Sequence, residues 1–308
     1  MKGDAQSWAR KTEAELDRGE MPQEAATSSL ATFGDLLEKY EAEVTPRKRG
    51  ARFERSRLLA LRAHPIARRP LKNITPNDFA LYRNERLRAV SGSTVRRELT
   101  ILRHCFEVGR KEWGIKIAPN PVAEIDRPKD GKPRDRRLSE SEFESLERAL
   151  SVCRNVYVRV IYRFAIETGM RRGGILSLAW GQVDLDNRTA LLPLTKNGDA
   201  RIVPLSPAAT EILRELKSKK KETLKDLVFP VSANAFQLSW ERVKLRAQIE
   251  NFRFHDLRHE AISRFFELGL SVPEVSLISG HKDARMLFRY THLKPENVAK
   301  KIEALTQR

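Results

Sequence analysis

Negative charge is scarce in this 308-residue chain. Asp and Glu total 41 against 58 Lys and Arg, leaving a formal net charge of +17 at pH 7. Such an excess argues against a cationic partner and for a polyanionic one. Lys and Arg displace counterions condensed on phosphates, so nucleic acid is the expected partner; a merely basic soluble surface is the alternative. Cysteine is rarer still, with only Cys105 and Cys153 and no CxxC pair. That excludes a disulfide framework and a cysteine-built zinc site. Both cysteines sit in apolar helical patterns and read as buried free thiols in a reducing cytoplasm. No apolar run is long enough to cross a bilayer and no signal peptide appears, so a cytoplasmic, nucleoid-associated protein without a membrane partner is expected.

What is present is enough apolar residue, 40% of the chain, to build more than one core. At roughly 100–200 residues per domain, two domains plus tails are expected. Residues 1–27 are polar, with a helical pattern through Ala5, Trp8, Ala9 and Leu16 that Gly19 and Pro22 break. Residues 28–118 read as a helical domain. Thr75-Pro76-Asn77-Asp78 is a helix start, with Thr as cap and Pro at the first helical position. After Ser93, Val95, Leu99, Leu102 and Phe106 form one apolar helix face. Arg96, Arg103 and Arg110 recur every seven residues on another face, where they could track a DNA backbone or simply meet solvent.

Residues 119–137 read as a linker rich in proline. It carries six basic residues: Arg127, Lys129, Lys132, Arg134, Arg136 and Arg137. Proline favours an extended path and the charge favours phosphate, so Lys129, Lys132 and Arg134 are candidate DNA contacts; a plain solvated linker also fits. From residue 138 a second domain is expected to run to the end. Ser139-Glu140-Ser141-Glu142 is a capping box, and a helix follows from about Val156 to Thr168. Three short apolar runs then fall at 182–185, 190–194 and 200–205, separated by Asp186-Asn187 and Asn197-Gly198. They read as a three-stranded antiparallel meander, after which helices resume at Ser206-Pro207. The fold class is mainly α with a small antiparallel sheet.

Five segments of this second domain carry reactive side chains: Thr168-Gly169-Met170-Arg171-Arg172, Thr195-Lys196-Asn197-Gly198, His255-Asp256-Leu257-Arg258-His259, Gly280-His281 and Arg289-Tyr290-Thr291-His292-Leu293. Singly each is ordinary. An arginine pair is usually surface, and Tyr290 alone would be a core or boundary aromatic. His255 and His259 stand at helical spacing, but the zinc reading finds no further ligand at the required spacing. Together and in this order, the segments resemble the catalytic set of the tyrosine recombinase (phage integrase) family, and the resemblance spans essentially the whole chain.

The resemblance implies a helical core-binding domain, a basic linker and a catalytic domain. It implies a site-specific DNA recombinase that cleaves and rejoins strands through a 3′-phosphotyrosine. On the matching positions, Arg171 is the first catalytic arginine and Lys196 the lysine of the sheet turn. His255 and Arg258 are the HxxR pair, His281 is the next histidine and Tyr290 the nucleophile. Duplex DNA is the implied partner, with a homo-tetramer as the working form and accessory DNA-bending proteins. No cofactor or metal is implied. The residue types suit that chemistry. Attack on a phosphodiester builds charge on non-bridging oxygens, which planar guanidiniums grip in pairs. A phenol titrating near 10 needs cations around it, and the departing 5′ oxygen needs a proton that a Lys can supply.

Two features depart from the family. Three residues after the first arginine, relatives usually carry Glu or Asp, and here that position is Gly174. The substitution loosens the helix by about 1 kcal/mol and leaves the arginines less balanced. A DNA-binding protein with weak or no catalysis is therefore one alternative, and a monomeric type IB-like DNA-relaxing enzyme another. At the front, residues 1–27 resemble the closing helix of an arm-binding domain without the strands that precede it. At the back, Val298, Ile302 and Leu305 recur at helical spacing and resemble a terminal helix that docks on a neighbouring subunit; packing on its own domain is the alternative.

Overall fold

The structure is a computed structural model. It describes residues 30–115, 119–129, 131, 134, 136–193, 200–219, 226–291, 296, 299, 303 and 306. The expected N-terminal helix, the Asn197-Gly198 turn with Lys196, Lys132, and the tail residues Val298, Ile302 and Leu305 lie outside the described residues. The chain divides into two compact units, Met1–Lys132 and Pro133–Arg308, and the division falls inside the 119–137 segment. Among the described residues no helix is long and apolar enough to cross a membrane.

Among the described residues of the first unit four α-helices follow one another: α1 (Phe33–Glu43), α2 (Ala51–Ala63), α3 (Pro76–Ala89) and α4 (Gly92–Glu112). Each start has a local cause. The Thr32 hydroxyl accepts from the Asp35 amide while the Asp35 carboxylate accepts from the Thr32 amide, 2.8 Å away. At α3 the Asp78 carboxylate reaches back 2.9 Å to the Thr75 amide, and Pro76 opens the helix. The α4 face formed by Val95, Leu99, Leu102 and Phe106 is buried as its spacing requires. Phe106 stacks on Phe33 with centroids 5.3 Å apart, and Phe79 meets both rings edge-on. The buried Glu98 accepts from the Tyr82 hydroxyl at 2.7 Å and from the Arg86 fork, so its charge is matched. The start of the expected linker belongs to this unit. Val122 enters its core, and the Asn120 amide donates to the Arg103 carbonyl and to Glu107.

The second unit opens with α5 (Glu140–Ser151), which the Ser139–Glu142 capping box starts, and α6 (Val156–Thr168), which Gly169 closes in the left-handed region at φ +58. A short α7 (Arg172–Leu176) follows. Next come β1 (Val183–Asp184), β2 (Thr189–Leu192) and β3 (Arg201–Pro204), an antiparallel meander in the order β1-β2-β3. Ala190, Leu192 and Val203 face the core while Leu191 and Ile202 are exposed, the period-two alternation of a sheet with one buried face. Then come α8 (Pro207–Ser218), α9 (Ala233–Arg246), α10 (Asp256–Glu267), α11 (Val272–Ser279) and α12 (Phe288–Thr291). One apolar core joins them, with α6 packed along α10.

Two expectations need correction. Cys105 is buried in α4, but Cys153 lies just past the end of α5, half-buried against the core rather than inside a helix. The arginines closing the 119–137 segment are not a free strap. Arg134 spends four hydrogen bonds on Asp256 and Asn251, Arg136 is paired with Glu142, and Arg137 forks onto Glu260 and Glu267. The buried Asp256 and Glu260 outcompete solvent for Arg134 and Arg137 because an unpaired buried charge costs far more than an ordered side chain.

The three-ring contact in the first unit sets a stability test. Phe106→Ala should lower the unfolding free energy by about 3–5 kcal/mol through lost transfer energy and a residual cavity. Urea titration followed by far-UV circular dichroism measures it, and a loss below ~1 kcal/mol would show that the rings do not hold these helices together.

Candidate active site

The HDLRH segment is the start of α10, and its first carboxylate fixes where that helix begins. Asp256 is almost fully buried, accepts from the Arg253 amide at 2.9 Å and is clamped by Arg134 at 2.7 Å. Burial alone would raise its pKa; the Arg134 fork and the amide outweigh that and hold it below the ordinary carboxylate range. With the helix start fixed, Leu257 enters the core and the next two side chains turn toward the site.

Arg258 is 3% exposed. One end of its guanidinium donates to the Gly169 carbonyl and the other to the Ser279 carbonyl. Arg201, on β3, donates to the adjacent carbonyl of Ile278 at 3.1 Å. Both guanidiniums thus cap the C-terminal turn of α11, where orphan carbonyls and the negative pole of the helix favour cations. Gly280 follows at φ +69, and a Cβ there would lie 2.1 Å from Arg201 Nη1, so the chain turns beneath the arginine only because this residue is glycine. His281 comes next. Its Nδ1 hydrogen-bonds the Ser279 hydroxyl at 2.7 Å and its carbonyl accepts from the Ser276 hydroxyl at 2.6 Å, which fixes the ring and leaves Nε2 as its free-standing edge.

Tyr290 lies on α12, which Leu287 anchors in the core, and its side chain is buried. His259 Nδ1 hydrogen-bonds the Tyr290 hydroxyl, and the two rings stack with centroids 5.7 Å apart and planes inclined at 24°. The Arg289 guanidinium sits 5.1 Å from the Tyr290 ring centroid. His255 stands edge-on to His259, and with Arg171 it lines an open cavity of about 420 Å³.

The electrostatics of this cluster are one-sided. Burial, then Arg171 and Arg201, push Arg258 down to about 9, which leaves it charged at neutral pH. Burial and then Arg171 push Arg201 down to about 10. His259 is lowered to about 4 by burial, then by His255 and Arg289. His281 is lowered to about 4 by burial, then by Arg258 and Arg171. Both histidines are therefore neutral near pH 7. Among the described residues no ion pair joins Arg171, Arg201 or Arg258 to a carboxylate. Buried Arg258 and half-buried Arg171 and Arg201, without an ion-pair partner among the described residues, suit an anion with several oxygens.

The same arrangement matches a family. Residues 136–297 match the phage integrase family. The chain belongs to the phage integrase family. It is 42% identical over 277 residues to the shufflon-specific DNA recombinase of Escherichia coli, covering 87% of this chain and 71% of that protein. It is 34% identical over 260 residues to a putative integrase/recombinase of Haemophilus influenzae, covering 83% and 84%. A lambda integrase dimer bound to a COC′ core site shares the fold at TM-score 0.70 and 22% identity, covering 84% of this chain and 95% of that one. A lambda integrase tetramer bound to a Holliday junction aligns at TM-score 0.70 and 22% identity, covering 93% and 86%. This phage integrase family member is a site-specific tyrosine recombinase, an enzyme that cleaves and rejoins DNA strands.

The catalytic set read from the sequence falls largely in one place: Arg171, His255, Arg258, His281 and Tyr290 lie on the ends of α7, α10, α11 and α12. Lys196 lies outside the described residues. Sequence reasoning passed over two members of the cluster. His259 looked like a second helix histidine, although its place next to Arg258 already put it one turn past His255. Arg201 looked like the polar residue of a strand, and nothing local signals its reach to Ile278. The DNA-contact candidates divide. Arg103 and Lys129 are exposed, and Arg110 is exposed but paired with Glu107 at 2.9 Å. Arg96 is half-buried and donates to the Pro128 carbonyl at 3.5 Å. Arg134 is committed to Asp256, so a phosphate contact there would have to break that pair.

Gly174 now has a defined position. Arg171 is the N-cap of α7, so Gly174 is its third residue, where a Glu side chain closes a capping box on the N-cap amide. A Cβ at Gly174 would meet Leu192 at 3.5 Å, an ordinary contact. Gly174→Glu should therefore add about 1 kcal/mol of stability, raise the melting temperature by about 2–4 °C, and speed cleavage by steadying Arg171. Differential scanning calorimetry and single-turnover cleavage measure both effects. No gain in either would mean that glycine is what this turn requires.

Proposed function

We propose that the enzyme binds duplex DNA and cleaves it with Tyr290, forming a 3′-phosphotyrosine and a free 5′ hydroxyl. The observation that carries this reading is the Tyr290 hydroxyl, hydrogen-bonded to His259, near buried Arg258, which with half-buried Arg171 and Arg201 has no ion pair to a carboxylate among the described residues. In attack, phosphorus becomes five-coordinate and its non-bridging oxygens gain charge. Arg171 and Arg258 supply paired donors to those oxygens, with His255 and the neutral ring of His281 as further donors. The Arg258 guanidinium, anchored on the Gly169 and Ser279 carbonyls, is already in place when the charge develops, so little reorganisation is needed there. Lys196 protonates the departing 5′ oxygen. The phosphotyrosine keeps the energy of the broken diester, so rejoining to another 5′ hydroxyl needs no nucleotide hydrolysis.

On this reading residues 28–118 form the core-binding domain, 119–137 the linker and 138–308 the catalytic domain. Arg96, Arg103, Arg110, Lys129 and Lys132 contact phosphates. Strand exchange needs two duplexes, so a homo-tetramer on DNA is the working form, as in the related lambda integrase tetramer. Accessory DNA-bending proteins assist, and the enzyme acts on the nucleoid in the cytoplasm. The +17 net charge supports a polyanionic partner.

Tyr290→Phe removes only the attacking oxygen. It should leave DNA affinity unchanged in a gel-shift titration and abolish covalent adducts on nicked suicide DNA. Strand cleavage at the parent rate would remove Tyr290 from this role. Lys196→Ala should be slow on ordinary DNA yet recover on a 5′-bridging phosphorothiolate, whose sulfur leaves without a proton. Equal impairment on both substrates would show that Lys196 is not the proton donor.

A further inference from the structure

Attack requires that the Tyr290 hydroxyl lose a proton, and His259, the residue after Arg258, is hydrogen-bonded to that hydroxyl. We propose that His259, through Nδ1, takes the phenol proton as Tyr290 Oη bonds to phosphorus. The inference rests on the reading of Tyr290 as the nucleophile. Three observations carry it. His259 Nδ1 and Tyr290 Oη are directly hydrogen-bonded. The rings lie nearly parallel, 5.7 Å between centroids, so the contact fixes the direction of the hydroxyl as well as its distance. Both ends are held by other parts of the fold: His259 by a helix whose start is clamped through Asp256 and Arg134, and Tyr290 by Leu287 in the core.

The surroundings keep the nitrogen lone pair available. His255, Arg289 and Arg258 face His259 and disfavour a second proton, Asp256 favours it, and the balance with burial leaves the ring neutral near pH 7. A neutral ring that accepts at Nδ1 carries its proton on Nε2. The tyrosine O–H can then point into the imidazole while the oxygen lone pairs remain directed elsewhere. As the reaction proceeds, the O–H bond breaks and its electron pair stays on Oη. The Oη–P bond forms, the P–O5′ bond breaks, and the 5′ oxygen takes a proton from the general acid. The proton on Nδ1 makes an imidazolium, which the negative charge gathering on the phosphoryl oxygens offsets. In rejoining, the same nitrogen returns the proton to Oη as it leaves. No oxidant, metal or further reactant enters the balance.

The test compares His259→Ala and His259→Gln with the parent in single-turnover cleavage of suicide DNA, with melting temperature and DNA affinity measured alongside. Gln keeps a hydrogen-bond acceptor but is not a base, so a purely orienting role would survive it. The expected result is a rate loss on the order of 10²–10⁴-fold in both variants. DNA affinity should stay at the parent value, and added imidazole should restore part of the His259→Ala rate. Where His259→Ala does not fold, the pH profile of His259→Gln carries the same distinction. Its rate should climb with pH as hydroxide replaces the missing base, while the parent stays flat near neutrality. Parent-rate cleavage by His259→Gln, or a slow His259→Ala that imidazole does not help, would overturn the proposal. Covalent adducts from Tyr290→Phe would overturn the reading of the nucleophile instead, so the two failures are separable.

Discussion

Arg258 is buried without a carboxylate, and much of the second unit is arranged so that it can be. Its guanidinium is held by two backbone carbonyls, Gly169 at the end of α6 and Ser279 at the end of α11. Carbonyls satisfy the donors and orient the fork without cancelling its charge. A carboxylate would have held the side chain as firmly and neutralised it. The two glycines at these helix ends follow from the same constraint. Gly169 adopts the left-handed turn that exposes its carbonyl, and Gly280 leaves room for Arg201 above the chain.

Glu241 lines the cavity of Arg171 and His255, while the α10 carboxylates are held in ion pairs of their own. Along α10, Asp256, Glu260 and Glu267 recur on one face and are taken up by Arg134, Arg137 and Arg264. Arg258 projects from the other side of the same helix. The arginines that close the linker segment therefore do two things at once. They stabilise the start of α10, and they prevent its acids from pairing with the catalytic cations. The pKa values of Arg258, Arg201 and both histidines are depressed first by burial and then by the like charges around them. In the proposed reaction a phosphate bound here would relieve that repulsion, and the five-coordinate state would relieve it further, which is differential binding of the transition state.

Much of this organisation was legible in the sequence because its causes are local. The Thr75–Asp78 and Ser139–Glu142 boxes, the helix at 156–168, the α4 apolar face and the meander each follow from residues a few positions apart. The reactive segments were legible because their residue types and order are specific. What was hidden depends on long-range contact. Arg134 read as a phosphate contact, yet its partner is Asp256, 122 residues away. Arg201 read as a strand residue, yet it caps a helix end 77 residues on. His259 lay in plain view, but helical spacing gives the face of a helix and not which ring tip meets Tyr290, 31 residues later. Cys153 fell on the wrong side of a helix end, where assignments from periodicity are weakest.

The central claim is that this cation cluster serves a phosphoryl group under attack by Tyr290. The most direct measurement is mass mapping of the covalent species trapped on nicked suicide DNA carrying the enzyme's recombination site. After digestion of protein and DNA, a nucleotide remnant should be found on the peptide containing Tyr290, joined through a 3′ phosphate. A remnant on another residue, a 5′ linkage, or cleavage with no covalent species at all would contradict the account.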